Sequence, residues 1–393
     1  MNRYLKSAGI LFALLYIFLP VNAGDIRIGL FYGSQVQSMV FSVVEGEYQL
    51  TGDGKIIGIY RKGSIFHIER EGTAILVNDI DRTYGSFMKI SFQGTSGKDI
   101  FQIKPVFQPL KGKESEDDLD LSVHHNAIRI INVLDLEKYI PGTVETEGGS
   151  TALPEYYKAQ SVITRTYAVR NFHRHAPEGF NLCDAVHCQA YNGKSRMNKE
   201  IYQAALLTHD QILADKNGAL LITAYHSNCG GETGNASMIW NRELPYLVPI
   251  HDPFCNKASN YTWTKTISVT AWKAYLIQKG VNGDKEIPAF KEVVRRKYFF
   301  PENNSILMTD FRQDFNLKSA FFLMEQKGES LVINGHGYGH GLGLCQQGAM
   351  EMAKMGFCYV DILMFYFRGA ELKIQQKGKS TIDGTSEPKS IID

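Results

Sequence analysis

Over residues 25–108, apolar and polar residues alternate in short runs separated by Gly, Asn and Asp. A two-residue period puts one face of each run in a core and the other in water, the signature of antiparallel strands joined by tight turns. Residues 26–32, 58–60, 65–68 and 87–92 are the clearest such runs. The charged stretch 111–120 reads as a solvated loop between strands. A further strand is expected at 127–134. Pro154 then suits the first turn of a helix reaching about residue 172. A second helix is expected after Tyr191, a strand at 219–224, and a last helix at 344–355 capped by Gly356. Strands first and helices later give an α+β fold: a mixed, antiparallel-rich β core with peripheral helices and a substrate cleft. No internal repeat is visible.

The N-terminus carries an address. Arg3 and Lys6 precede an apolar stretch at 10–21, and Val21-Asn22-Ala23 offers small residues for cleavage, so residues 1–23 read as a secretory signal. Pro20 interrupts the stretch, which falls short of the roughly 20 residues of a spanning helix. The expected location is therefore outside the cytoplasm, periplasmic or at the cell surface. The formal charge of the 393 residues is +1, and removing Arg3 and Lys6 takes it to −1. That balance lacks the basic face a nucleic-acid partner needs. Six cysteines in an oxidising compartment can form disulfides or hold a metal.

The residues that carry chemistry gather in four patches. Tyr139-Ile-Pro-Gly-Thr-Val-Glu-Thr-Glu147 reads as a strand ending on a glutamate, followed by a helix on which Lys158 and Arg165 share one face. A carboxyl beside two cations suits acid/base work on a substrate outside the cytoplasm. The second patch, Cys183-Asp-Ala-Val-His-Cys188, has His173 and His175 upstream and offers ligands that zinc prefers; a Cys183–Cys188 disulfide is the competing reading. The third is Tyr225-His-Ser-Asn-Cys-Gly-Gly-Glu-Thr233. The fourth, Gly335-His-Gly-Tyr-Gly-His-Gly-Leu-Gly343 with Gln346, has neither the Lys-Ser/Thr nor the βαβ frame of a phosphate loop, so no nucleotide is expected.

In order and spacing these patches resemble the stage II sporulation protein D family of peptidoglycan lytic transglycosylases, over roughly residues 25–372. After the signal at 1–23 the chain divides into a β-rich region (24–125), a catalytic region (126–372) that the resemblance implies, and a tail (373–393) whose Lys, Ser, Gly and Asp content reads as disordered. The resemblance implies that Glu147 is the catalytic acid/base, with Glu145 its nearest competitor. Cleaving a glycosidic bond needs a proton on the leaving oxygen, and hydrolases usually add a second carboxylate. A lytic transglycosylase needs one, because the muramyl 6-hydroxyl is the nucleophile. The resemblance further makes Lys158 and Arg165 substrate contacts. It places Tyr225, His226, Ser227 and Thr233 along a sugar cleft, with His340 and Gln346 as polar contacts and the glycine run packed against a glycan. Zinc would be held by His175, Cys183 and Cys188, with His187 a weaker ligand. Cys229 could pair with Cys255, leaving Cys345 and Cys358 as a second disulfide or two thiols. The implied partners are peptidoglycan glycan strands. Because amidase-enhancer proteins share the domain, two non-catalytic roles stand beside the enzyme: activation of a cell-wall amidase, and glycan binding without turnover.

Overall fold

The alternating first third folds into two antiparallel sheets that face each other across a shared aromatic core. In this computed structural model, which describes residues 24–303 and 305–375, one sheet has six strands. Its order in space is Lys113–Glu116, Ile100–Pro105, Ser38–Glu45, Ile65–Glu71, Ala74–Asn78, Thr83–Phe87. The other has seven, running Leu182–Cys183, Asp25–Leu30, Ala127–Asp135, Asp118–His124, Lys89–Gly94, Glu47–Gly52, Lys55–Arg61. Every pairing is antiparallel except that of Leu182–Cys183 with Asp25–Leu30. Phe41, Phe66 and Phe101 meet Tyr48 and Phe92 between the sheets, with the Phe41 and Phe92 rings stacked 3.8 Å apart. Expected runs at 58–60, 65–68 and 127–134 fall on strands and 26–32 overruns its strand by two residues, whereas 87–92 is split at Met88 between Thr83–Phe87 of one sheet and Lys89–Gly94 of the other. The charged stretch 111–120 does not form a loop. It supplies strand Lys113–Glu116 and the first three residues of Asp118–His124, because Ser115 and Leu119 turn inward while the charges beside them are at least partly exposed.

Helices then cover one end of this body. Helix α1 (Leu136–Gly148) begins where Asp135 accepts from the Glu137 amide, a side-chain cap that satisfies one orphan donor. The expectation of a strand there is wrong. Tyr139, Ile140, Thr143 and Val144 are buried at helical spacing, and the Pro-Gly pair sits inside the helix as Pro141 and Gly142. Helix α2 (Pro154–Arg170) starts on Pro154 as expected and is buried along most of its length, against α1 and against α3 (Lys199–Leu207). Residues 219–224 form no strand ladder beyond one bridge at Leu220, although 221–224 are buried. Instead, Thr223 Oγ1 donates to the Ile163 carbonyl of α2.

A short helix α4 (Ala236–Ile239) precedes a second hydrophobic core that the sequence did not announce. The strands Thr262–Ser268, Ser330–His336 and Phe322–Lys327 form an antiparallel sheet, packed by α5 (Val269–Gln278) and α6 (Met308–Asp314) around Trp272, Phe299, Phe311 and Phe322. The chain returns to the first body through α7 (Gln346–Lys354) and α8 (Tyr359–Tyr366). Helix α7 therefore is not the last, although Gly356 follows it with a left-handed φ of 91° as a stop. The strand Glu371–Ile374 pairs with Gln211–Ala214, so order extends past the expected start of the tail at 373. The rest of that tail and the signal at 1–23 lie outside the described residues. Among the described residues, no helix is long and apolar enough to cross a membrane.

Candidate active site

Glu147 lies in the last turn of α1, where its side chain turns toward the loop at 189–193. Its Oε1 accepts from the Ala190 amide at 2.6 Å, and the Asn192 amide reaches Thr146 Oγ1 one residue earlier. Gly142 makes this approach possible: a Cβ there would stand 2.2 Å from the Gly193 carbonyl oxygen and 2.7 Å from the Tyr191 ring. Burial pushes the Glu147 carboxyl above the usual range. The Ala190 amide pulls it back, as does the Tyr225 hydroxyl, which sits near enough to favour the charged form without an ordinary hydrogen bond. Its place at a helix C-terminus also disfavours a negative charge. The competitor Glu145 is committed elsewhere. It accepts from Ser195 Oγ at 2.9 Å and from the amides of Arg196 and Met197, fastening the loop at 195–197.

One cleft brings together most of the residues singled out by sequence. Glu147, Tyr225, His226, Ser227, Tyr338, Gly339, His340 and Gln346 line a cavity of about 530 Å³ together with Arg312, Asn316, Leu317 and Lys318. That size lies in the ~300–1,000 Å³ range of small-ligand sites. The first group belongs mainly to the larger body, and Arg312 to Lys318 belong to the second core, so the cleft runs along the seam. Gln346 Nε2 donates to the Glu147 carbonyl at 3.1 Å and ties α7 to the end of α1. Strand Tyr225–His226 pairs in parallel with Leu344–Cys345, which carries the third and fourth patches to one wall. The glycine run packs against protein. A Cβ on Gly337 would meet the Asn228 carbonyl at 2.5 Å, and one on Gly343 the Ala224 carbonyl at 2.1 Å. Of these glycines Gly339 also faces the cleft.

The two histidines present opposite hydrogen-bonding atoms. His226 Nδ1 lies 3.0 Å from the Leu342 carbonyl and must donate to it, which leaves Nε2 an acceptor. His340 Nδ1 accepts from the Leu342 amide, so its Nε2 carries the proton. Both Nε2 atoms are buried without a hydrogen-bond partner. Burial holds both rings neutral. His226 titrates well below its ordinary value, and His340 falls to about 3 with Arg312 adding to the effect.

Three expected substrate contacts are not in the cleft. Arg165 is fully buried and pairs with Glu137 through Nε at 2.7 Å and Nη2 at 2.6 Å, while also donating to the Ala205 and Gln211 carbonyls. It ties α2 to α1. Lys158 pairs with Glu155 on its own helix at 2.5 Å, beside the Tyr359 ring. Thr233 is buried and exchanges hydrogen bonds with Val248 and Ile250. The cations that line the cleft are Lys318 and Arg312, whose Nε also donates to the Leu317 carbonyl at 3.3 Å, and sequence reasoning missed both. They sit in a stretch with no motif, and only the packing of the second core brings them to the seam. Tyr338, inside the recognised glycine run and 44% exposed, was also overlooked as a ring on the cleft wall.

The cysteine–histidine patch closes on itself away from this cleft. Ligand atoms of His175, Cys183, His187 and Cys188 all lie within 4.8 Å of one another. His175 Nε2 is 3.3 Å from Cys188 Sγ, and its Nδ1 contacts Glu178 Oε1 at 2.5 Å, the outer carboxylate that commonly orients a metal-bound imidazole. His187 Nδ1 stands 3.7 Å from Cys183 Sγ. Two sulfurs and two nitrogens at this spacing fit a tetrahedral zinc. His187 thus joins the set as a fourth donor, whereas exposed His173 does not. No disulfide is present among the described residues. Cys358 is exposed at the start of α8, apart from buried Cys345.

The structure defines an α+β protein with a half-buried acid on the wall of a polar cleft, and comparison with known proteins shows what it is similar to. Residues 124–214 match the family model described as stage II sporulation protein, a stretch holding Glu147 and the cysteine–histidine patch. The chain is 29% identical over 284 residues to a protein of Brachyspira hyodysenteriae, covering 70% of this chain and 76% of that one. It is 28% identical over 280 residues to Stage II sporulation protein D of Bacillus subtilis, covering 67% and 82%. The Amidase enhancer of Bacillus subtilis is 24% identical over 292 residues, 59% of this chain but 40% of that protein. The family resemblance read from the four patches is therefore borne out.

Proposed function

We propose that this chain is an exported lytic transglycosylase that cuts the bond between N-acetylmuramic acid and N-acetylglucosamine in peptidoglycan. The carrying observation is Glu147, a carboxyl kept protonatable by burial on the wall of a sugar-sized polar cleft. In this reading Glu147 gives its proton to the leaving glycosidic oxygen as the C1–O bond breaks. The muramyl 6-hydroxyl then forms the new bond to C1, and its proton returns to Glu147, so no water is consumed and a 1,6-anhydro end results. No second carboxylate lines the cleft among the described residues, which suits an intramolecular nucleophile. Arg312 and Lys318 would hold the lactyl carboxylate. Tyr338 offers a face for a sugar ring, while His226 Nε2 and His340 Nε2–H accept from and donate to sugar hydroxyl or acetamido groups. In this reading the His175, Cys183, His187 and Cys188 set would hold a structural zinc.

The test is incubation with peptide-stripped glycan strands and mass spectrometry of the products. Saccharides ending in 1,6-anhydro-N-acetylmuramic acid are expected from the wild type and none from Glu147→Gln; product formation by the variant would remove Glu147 from the mechanism. A second reading, activation of a cell-wall amidase, is favoured by the likeness to the Amidase enhancer. It predicts equal stimulation of an added amidase by wild type and Glu147→Gln.

A further inference from the structure

Behind the cleft wall, three thiols and a carboxylate converge from three separate segments. Cys229, Asp252, Cys255 and Cys345 are all buried, and one ligand atom from each lies within 4.8 Å of the others. Cys229 Sγ is 3.4 Å from Cys255 Sγ and 3.1 Å from Asp252 Oδ2. A disulfide needs about 2.05 Å. Sulfurs on a tetrahedral zinc at ~2.3 Å each are roughly 3.8 Å apart, close to the spacing found.

The surroundings are those of a site built for a cation. Asp252 is buried, and among the described residues no lysine or arginine pairs with it, which is costly for a carboxylate unless something positive arrives. Its two oxygens are nonetheless oriented: Phe254 N–H donates to Oδ1 at 2.9 Å and Tyr366 O–H to Oδ2 at 2.9 Å. Backbone amides of Cys229 and Gly348 point at Cys345 Sγ from 3.2 and 3.4 Å, contacts that favour a thiolate. A Cβ on Gly348 would stand 2.5 Å from Asp252 Oδ2, so this residue leaves room for the carboxylate. Half-buried Arg295 donates to the Cys229 carbonyl at 2.8 Å, placing a positive charge where three thiolates and a carboxylate would exceed a divalent ion's charge.

We propose that Cys229, Asp252, Cys255 and Cys345 form a metal site for one thiophilic divalent cation, zinc by the ligand set, separate from the His175–Cys188 cluster. The ion would staple the cleft wall from behind. Cys229 lies two residues past Ser227, Cys345 immediately precedes Gln346, and Asp252 and Cys255 come from the segment just before the second core. The inference is independent of the glycan-cutting reading, because its test counts metal and thiols and uses no substrate.

Metal content of the full mature chain, purified from an oxidising compartment without chelator, is measured for three proteins. Cys183→Ser/Cys188→Ser is expected to keep one zinc per chain, and Cys229→Ser/Cys345→Ser to hold one fewer than wild type. Loss of all metal from the first variant overturns the proposal, as does unchanged content in the second. Serine at these buried positions can prevent folding, so two measurements on wild type stand beside the variants. Cobalt-substituted wild type should show thiolate-to-metal charge transfer of at least three cysteines, and an intensity of two or fewer overturns the site. Non-reducing peptide mapping should find Cys229, Cys255 and Cys345 as thiols; a Cys229–Cys255 disulfide overturns it.

Discussion

Glu147 and Glu145 are two residues apart on one helix and have been given different environments. Glu145 accepts three or more donors from a loop, and Glu147 accepts one amide and is otherwise desolvated. Because burial raises the Glu147 pKa, its protonated form persists to higher pH, and activity should fall as pH rises through that raised value. Tyr225→Phe removes a group that favours the charged form. The alkaline limb of the pH–rate profile should then move to higher pH, and a shift to lower pH would contradict the arrangement. Glu147→Gln should lower the rate of anhydro-product formation by about 10²–10⁴-fold, the usual share of a general acid, with no loss of melting temperature. Glu145→Ala should do the reverse, costing on the order of 1–3 kcal/mol in denaturant unfolding as the amides of Arg196 and Met197 lose their acceptor, while product formation persists.

Helix α1 shows how an element can be misread while the residue singled out on it, Glu147, still reaches the cleft. Pro141 and Gly142 look like a turn after a strand. Asp135 at the cap and buried residues at 139, 140, 143 and 144 make the segment helical, and Gly142 is kept for the closeness of the loop at 190–193. Gly142→Ala should therefore displace that loop, cost roughly 1–3 kcal/mol of stability, and reduce activity through the lost Ala190–Glu147 contact. Equilibrium unfolding and the product assay measure the two effects separately. Arg165 is the second lesson of this kind. A helical wheel puts it beside Lys158 but cannot tell outward from inward, and burial under α3 with Glu137 makes it an internal tie. Arg165→Ala should destabilise by about 3–5 kcal/mol, because it leaves a partly buried Glu137 unpaired. Its effect on KM at temperatures where the variant is folded should be small.

The molecule as a whole is two cores meeting along a cleft, lined by the acid and the histidines together with Arg312 and Lys318. Replacing both cations with Ala should raise KM for glycan several-fold and leave kcat less affected, with the difference shrinking at high salt as screening replaces their contribution. An equal fall in kcat would instead give them a part in the chemical step. Most strands of the first third, the α2 start, the gathering of Glu147, His226, His340 and Gln346 on one cleft and the clustering of His175, Cys183 and Cys188 were legible in the sequence. Each rests on a local period, a short spacing or a motif that the chain writes within a few residues. The second core, the cations lining the cleft and the four-residue cluster around Cys229 were decided only in three dimensions. Contacts such as Gln346 to Glu147 span 199 residues, and burial, not residue type, determines which cation is a tie and which can meet a substrate.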